Sequence, residues 1–158
     1  MQQLTISRDN AVKAYQAGSP KQKKLLEDLF GVENLDLDIT EFVGSYQDAC
    51  RLRGVTPLSL SDFAFLGPQR QVLAYADHQL DIIIEALNEG HVFDYDDPEE
   101  RKYYPLLKKT GSGFALFAVG CDYSYSLVGP RRSFRKEETA RYCATKFIHL
   151  YNQSFQQQ

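Results

Sequence analysis

The sequence predicts an α+β fold, in which N-terminal helices and a long central helix pack with a three-stranded antiparallel meander and a C-terminal helix. Helix-capping residues recur through the first half of the chain, and apolar residues repeat at helical spacing from residue 68 to residue 89. Between residues 103 and 135, short alternating runs are separated by turn residues. The 158 residues, 43% of them hydrophobic, are enough for a single domain (residues 1–158) with a buried core.

The N-terminal part, residues 1–67, is predicted to be helical. Serine can cap the start of a helix, proline is favoured at its first position, and glycine often ends it. These signals predict three helices, which follow Ser7, Ser19 and Ser45 and end at Gly18, Gly31 and Gly54. Residues 54–67 are rich in glycine, proline, serine and threonine, so this segment is predicted to be a connecting loop.

Residues 68–90 are predicted to form the central helix, because they carry the longest apolar stripe and end in a glycine. The stripe consists of Val72, Leu73, Ala76, Leu80, Ile83, Ile84 and Leu87. Ile82 and Ala86 lie off the stripe and give the helix a second apolar edge. Packing of this edge within the chain is favoured, and packing on another subunit of a homo-oligomer is the alternative.

The β-meander is predicted within residues 91–136. An acidic run at 94–100 comes first, and Asp97-Pro98-Glu99-Glu100 is typical of the capped start of a short helical turn. Strands are predicted at residues 103–108, 113–122 and 125–135, joined by short hairpin turns. Helical spacing returns at residues 137–155, which are predicted to form the C-terminal helix.

The composition argues against several classes of protein. A net charge of −3 and a pI near 5.6 make binding to duplex DNA unfavourable. The chain has no apolar run long enough for a membrane span, and its first residues lack the apolar core of a signal peptide, so a location in the cytosol of a host cell is predicted. Cys50, Cys121 and Cys143 are widely separated and are predicted to be buried small hydrophobic residues rather than metal ligands.

No catalytic residue, metal site or cofactor is predicted. Cys143 and His149 lie nearly two turns apart on one predicted helix, too far apart for a nucleophile and its base. The acidic run at 94–100 lacks the glycine and the terminal glutamate of a calcium loop, so a solvated loop with helix-capping acids is favoured.

The most informative segment is the basic-aromatic block, residues 101–136. It carries eight Lys or Arg residues against one acid, Asp122, with tyrosines between them. Cations beside aromatic rings suit a partner that is anionic and flat, such as a nucleotide or a nucleic acid. The predicted ligand-binding residues are Lys102, Tyr103, Tyr104, Tyr123, Arg131, Arg132 and Arg135. An ordinary sheet surface is the alternative, because tyrosines pack well on strands and Lys or Arg protect sheet edges.

Four segments form a distinctive combination: residues 84–90 (Ile-Glu-Ala-Leu-Asn-Glu-Gly), 101–105 (Arg-Lys-Tyr-Tyr-Pro), 129–135 (Gly-Pro-Arg-Arg-Ser-Phe-Arg) and 140–142 (Ala-Arg-Tyr). With the N-terminal pattern Asn10-Ala11, Leu25-Leu26, Leu29-Phe30-Gly31 and Asp48-Ala49-Cys50, they resemble an uncharacterised family that is frequent in gut Bacteroidales and in their phages and mobile elements. At Leu106, family members usually have tryptophan. The resemblance spans nearly the whole chain and implies a phage or mobile-element context without implying an activity.

Together, these observations predict a non-enzymatic phage or mobile-element protein that holds a small anionic ligand of the nucleotide class. The three predicted arginines are expected to hold phosphates, and the three tyrosines to flank the base. With the phage context, this suggests sequestration of a host immune signal as counter-defence. The alternatives are an interaction module that binds a host or phage protein, and a sheet that binds single-stranded nucleic acid, against which the overall acidity counts.

Overall fold

The computed structural model has an α+β architecture with several helices and a two-stranded antiparallel sheet, so the predicted fold class is confirmed. It describes residues 6–31, 35, 38–123 and 132–155. The chain divides into two compact units, Met1–Glu41 and Phe42–Gln158. No helix within the described ranges combines the length and apolar character that a membrane crossing requires.

The first unit contains α1 (Arg8–Ala17), α2 (Pro20–Phe30) and a short 3₁₀ helix (Ile39–Glu41). α1 starts where the sequence predicted, because the side chain of Ser7 accepts a hydrogen bond from the backbone N–H of Asn10 at 3.3 Å. The hydroxyl of Tyr15 donates to the carboxylate of Glu27 at 2.5 Å and joins the two helices.

The second unit contains α3 (Tyr46–Arg53), a 3₁₀ helix (Leu60–Leu66), α4 (Pro68–Leu87), β1 (Lys102–Thr110), β2 (Gly113–Asp122), α5 (Glu137–Lys146) and α6 (Ile148–Ser154). α3 ends at the predicted Gly54, whose φ of 66° is a left-handed conformation that glycine adopts without strain. The 3₁₀ helix lies in the segment predicted to be a loop. The carboxylate of Asp62 stabilises its start by accepting the backbone N–H of Ser59 at 2.6 Å.

The core of the second unit is built around α4, the predicted central helix. Its Ala76, Leu80 and Ile83 are fully buried, and α4 packs against α3 and α6. Burying an aliphatic side chain of this size contributes roughly 1.5–3 kcal/mol. The predicted stripe of α4 therefore contributes large buried side chains, Leu80 and Ile83 among them, to the core of this unit.

The C-terminal helical segment consists of two helices, α5 and α6, where the sequence predicted one. They are divided at Phe147, whose φ of −108° and ψ of 25° depart from helical values. The ring of Phe147 is buried and packs edge-on against Tyr142, with a centroid distance of 6.2 Å. The break places Leu150 and Tyr151 in the core, where both are buried.

β1 and β2 form an antiparallel hairpin whose turn, at residues 111–112, lies between the first two predicted strands. Lys102 lies opposite Asp122 at the open end, and Thr110 lies opposite Gly113 at the turn. α5 and α6 contact the hairpin. A short connection of this kind fixes the register of the two strands.

A β-bulge interrupts this register once. Leu106 lies opposite Ala118 and Leu107 lies opposite Leu116, so Phe117 is the extra residue of β2. Its side chain is 69% exposed. The bulge therefore places a large aromatic side chain on the surface.

Asn152 in α6 fixes the beginning of β2. Its Oδ1 accepts the N–H of Phe114 at 2.6 Å, and its Nδ2 donates to the carbonyl of Phe114 at 3.1 Å. A Cβ atom at Gly113 would lie 2.6 Å from this Oδ1, and Gly113 has a φ of +130°. Both constraints require glycine at this position.

The predicted third strand, residues 125–135, lies largely outside the described residues. Phe134, which is described, forms an isolated antiparallel bridge with Tyr103, with N–H···O distances of 2.9 and 2.7 Å. This bridge is at the edge of β1, whereas a meander would place its third strand beside β2. A three-stranded meander is therefore not shown.

The buried side chain of Asn88, just after α4, explains where this bridge forms. Its Nδ2 donates to the carbonyl of Ser133 at 2.8 Å, and its Oδ1 accepts the N–H of Arg135 at 3.1 Å. These two bonds hold the main chain on both sides of Phe134. The fully buried ring of Phe134 is thereby fixed next to β1.

Candidate ligand-binding surface

Lys102 is placed inside the protein, with only 2% of its surface exposed. Its ammonium donates to the carbonyls of Asp94 and Glu100 at 2.8 and 3.2 Å. It also lies 5.8 and 5.1 Å from the ring centroids of Phe93 and Tyr95. Because a buried ammonium needs such partners, Lys102 fixes the loop before β1 and is not presented to a ligand.

Glu100 connects this lysine to His91. One carboxylate oxygen lies 2.5 Å from His91 Nε2, and the other lies 3.3 Å from Lys102 Nζ. The second oxygen also accepts the backbone N–H of Asp94 at 2.6 Å. Burial alone would raise the pKa of Glu100, but the hydrogen bonds from His91, Asp94 and Lys102 outweigh it and lower the pKa.

The acidic run at 94–100 is a loop in which Asp97 caps a single turn at Pro98 and Glu99, and the turn does not continue as a helix. Asp94 and Asp97 each accept a backbone N–H from two residues farther on, at 2.8 Å. Such bonds favour a turn over a helix. Within the described part of the chain, no group of three or more His, Cys, Asp or Glu side chains is arranged to hold a metal ion.

Arg132 is also committed to internal partners. Its guanidinium contacts the carboxylate of Asp77, lies 3.8 Å from that of Asp81, and donates to the hydroxyl of Ser154 at 3.2 Å. Two of these partners are acids on α4. The charge of Arg132 therefore attaches its segment to the core, and the site is unfavourable for phosphate.

Tyr103 and Tyr104 are separated by the pleat of β1, since consecutive residues of a strand point to opposite faces. The ring of Tyr104 lies over Gly120, where a Cβ atom would be 2.6 Å from Tyr104 Cε2. Tyr103 lies on the same face as Arg101. The structure therefore does not bring these two predicted residues together around one ligand.

Arg101, Tyr103 and Tyr123 form a surface group, which we call the open-end cluster. The guanidinium carbon of Arg101 lies 5.9 Å from the ring centroid of Tyr123, and Tyr123 is 40% exposed. A hydrogen bond with Tyr103 raises the pKa of Arg101, with a smaller contribution from Tyr123. Arg101 was not among the predicted residues, although its position across from Tyr123 follows from the hairpin register.

Arg135 is exposed and follows the bridge between Phe134 and Tyr103. The residue before it, Phe134, is bonded through its main chain to Tyr103 of the open-end cluster. Arg131, the remaining predicted residue, lies outside the described residues. Of the seven predicted residues, Tyr103 and Tyr123 belong to the cluster, and Arg135 is exposed near it.

The cysteines differ from one another. Cys50 and Cys143 are buried as predicted, but Cys121, opposite Tyr103 near the open end of the hairpin, is exposed. Burial raises the pKa of Cys143 to about 12, and its Sγ lies 3.9 Å from the hydroxyl of Tyr151. A thiol with that pKa is protonated at neutral pH and is a poor nucleophile.

Comparisons with protein-family models, with curated proteins and with solved structures find no match to this chain.

Proposed function

We propose that the open-end cluster binds a small anionic ligand that carries a flat ring, of the nucleotide class. The observation that carries this proposal is the exposed guanidinium of Arg101 beside the exposed ring of Tyr123, 5.9 Å from its centroid. A guanidinium matches two phosphate oxygens at once, and a tyrosine ring stacks on a base. Neighbouring side chains thus offer a partner for the phosphate and a partner for the base of a nucleotide.

The charge of residues 101–136 supports the binding of an anion, and the exposed acids at 94–99 lie beside Lys102, whose side chain is on the opposite face of the sheet from Tyr123. Asp122, the one acid between residues 101 and 136, pairs with Lys102 in the hairpin register. Adjacent strand residues point to opposite faces, so the carboxylate of Asp122 points away from the face of Tyr123. Its Oδ1 also accepts the backbone N–H of Tyr123 at 2.8 Å.

The proposal replaces part of the predicted residue set. Lys102 and Arg132 are assigned structural roles, because each contacts carboxylates or carbonyls of the protein itself. The chain resembles a protein family that is frequent in gut Bacteroidales and in their phages and mobile elements. From this resemblance we propose sequestration of a nucleotide signal as the biological role. That role rests on the resemblance alone.

Thermal melting against nucleotides, cyclic dinucleotides, cyclic oligonucleotides and ADP-ribose derivatives tests the proposal. A ligand present at about a thousand times its dissociation constant adds roughly 4 kcal/mol of stability. For a chain of this size, the melting temperature is then expected to rise by roughly 8–16 °C. A panel in which no compound changes the melting temperature of ligand-free protein would contradict the proposal.

Variants locate the site. Arg101→Ala and Tyr123→Ala are each expected to weaken binding by about tenfold or more, because a charged hydrogen bond or a stacked ring contributes about 1.5–3 kcal/mol. Arg141→Ala is the matched control, since Arg141 is an exposed arginine on α5 that pairs with Glu137 at 2.8 Å. Equal affinities of the Arg101 and Arg141 variants would place the ligand elsewhere.

A further inference from the structure

The two faces of the hairpin have different surroundings. On one face, Phe114 packs on Phe155, with 5.4 Å between the ring centroids. On the other face lie Tyr104, Leu106 and Lys108, because they share the same parity along β1. We call this second side the outer face.

The outer face carries an exposed apolar strip. Leu106 is 43% exposed, Phe117 is 69% exposed, and Tyr104 is half-buried. The ammonium of Lys108 lies 5.9 Å from the ring centroid of Phe117, which shows that the bulge turns this ring toward the outer face. Small residues opposite the strip, Ala118 and Gly120, leave it shallow and accessible to a large partner.

The strip ends in opposite charges. At the open end, the loop before β1 is held against the hairpin by the bond from Lys102 to Asp94, and its exposed acids are Asp94, Asp96, Asp97 and Glu99. Arg135, exposed beside the Phe134 bridge, offsets part of this charge. At the turn end lies the exposed Lys108 on the outer face, and the exposed Lys109 adds positive charge at the same end from the opposite face of β1. Lys102 and Lys108 are six residues apart on β1, which corresponds to about 20 Å.

We infer that the outer face is the contact surface between two copies of this chain. A two-fold axis through the middle of the strip places the acidic loop of each copy against the lysines of the other. Phe117 and Leu106 of both copies meet near the axis and are shielded from water. This arrangement thus buries the apolar centre of the strip and pairs each charged end with one of opposite charge.

The charge distribution along the outer face favours a second copy of the chain over other partners. Nucleic acid and anionic lipid surfaces would be attracted by Lys108 and Lys109 but repelled by the acidic loop about 20 Å away. A surface with an acidic end, an apolar centre and a basic end is complementary to itself after a half-turn. This dimer contact is separate from the open-end cluster, because Arg101 and Tyr123 lie on the other face of the sheet.

The area of the outer face indicates a weak dimer. A strip about 30 Å long and about 15 Å wide offers about 450 Å² per subunit, below the usual interface of about 800 Å² per partner. We therefore expect a dissociation constant of about 1–100 µM at low salt, rising with ionic strength.

Sedimentation velocity of the purified full chain across this concentration range tests the inference, and a reversible monomer–dimer equilibrium is expected. Phe117→Ser is expected to raise the dissociation constant about tenfold or more. Leu25→Ser, which removes an exposed leucine of α2 (57% exposed), is the matched control and is expected to leave it unchanged. A wild-type chain that stays monomeric across the range overturns the inference.

A charge exchange identifies the contact itself. The double variant Lys108→Glu and Lys109→Glu, and the double variant Asp96→Lys and Asp97→Lys, are each expected to be monomeric, with dissociation constants raised about a hundredfold. An equimolar mixture is expected to form mixed dimers, because one contact then joins native acids to native lysines and the other joins the introduced lysines to the introduced glutamates. If the wild type forms dimers and the mixture does not, another surface is responsible and the inference is wrong. Arg101→Ala is expected to leave the dimer unchanged, so failure here is distinguishable from failure of the proposed ligand site.

Discussion

The ammonium of Lys102 donates a hydrogen bond to the main-chain carbonyl of Asp94 across 2.8 Å. This bond joins the first residue of β1 to the acidic loop that precedes it. Because Glu100 also lies 3.3 Å from the same ammonium, the lysine neutralises one acid of this loop and leaves the others exposed. The loop conformation therefore depends on a buried cation.

Lys102→Met is expected to destabilise the protein by about 2–4 kcal/mol, since it leaves a carboxylate and two carbonyls without their shared donor. Urea unfolding followed by circular dichroism measures this loss. Lys108→Met is the control, because Lys108 is exposed and its replacement is expected to change stability by less than about 0.5 kcal/mol. Equal unfolding midpoints for both variants would show that Lys102 is not a structural residue.

Glu100→Gln is expected to change how stability depends on pH. The pKa of Glu100 in the folded protein is lowered from its ordinary value of 4.5. The carboxylate therefore contributes stability above pH 4.5, and this contribution is lost as the pH falls through the folded pKa. The stability difference between wild type and Glu100→Gln is expected to be largest near neutral pH and to shrink in acid.

Urea unfolding midpoints at several pH values between neutrality and acid measure this difference. Glu99→Gln, at an exposed neighbouring position, controls for the loss of one carboxylate. A stability difference for Glu100→Gln that stays constant down to strongly acidic pH would contradict the role assigned to its hydrogen bonds.

Arg132→Leu is expected to cost about 1–2 kcal/mol, because its ion pairs with α4 are partly exposed to water and are therefore screened. Its ligand affinity is expected to match that of the wild type once the variant is folded. Arg101→Leu should behave in the opposite way, with stability retained and ligand binding weakened. Differential scanning calorimetry and ligand titration of both variants separate the two roles, and weakened binding in Arg132→Leu alone would reverse the assignment.

Asn88→Ala is expected to destabilise the protein by about 2–3 kcal/mol, because the carbonyl of Ser133 and the N–H of Arg135 lose their buried partner. Amide hydrogen exchange should speed up most at Tyr103 and Phe134, which form the bridge beside this side chain. Asn152→Ala serves as a comparison, since it is expected to speed up exchange at Phe114 instead. Unchanged exchange at Phe134 in Asn88→Ala would mean that the bridge does not depend on Asn88.

The start of α1 and the end of α3 were predictable because their causes are local. The serine that caps α1 lies within three residues of the N–H that it binds, and the glycine that ends α3 is fixed by its own φ. The hairpin turn at residues 111–112 is local in the same sense. Such signals are complete within a few residues of sequence.

The candidate site was less predictable, because its charges are decided by distant partners. Arg132 and Asp77 are 55 residues apart, and nothing near Arg132 in sequence shows that its charge is already neutralised. Lys102 was predicted to bind a ligand because it belongs to the basic-aromatic block, and its sequence neighbours do not show that its ammonium is enclosed by the rings of Phe93 and Tyr95. The bulge at Phe117 also has no local signal, so the exposed ring was not predicted.

Asn152 gives β2 the partner that a neighbouring strand would otherwise supply. One amide occupies both main-chain groups of Phe114, and shortly afterwards the bulge at Phe117 breaks the even spacing of N–H and C=O groups. A strand from another molecule that approaches this part of the edge therefore has too few evenly spaced N–H and C=O groups to pair with. Templated fibril growth requires a long flat edge, so this end of the hairpin is protected against it by main-chain geometry.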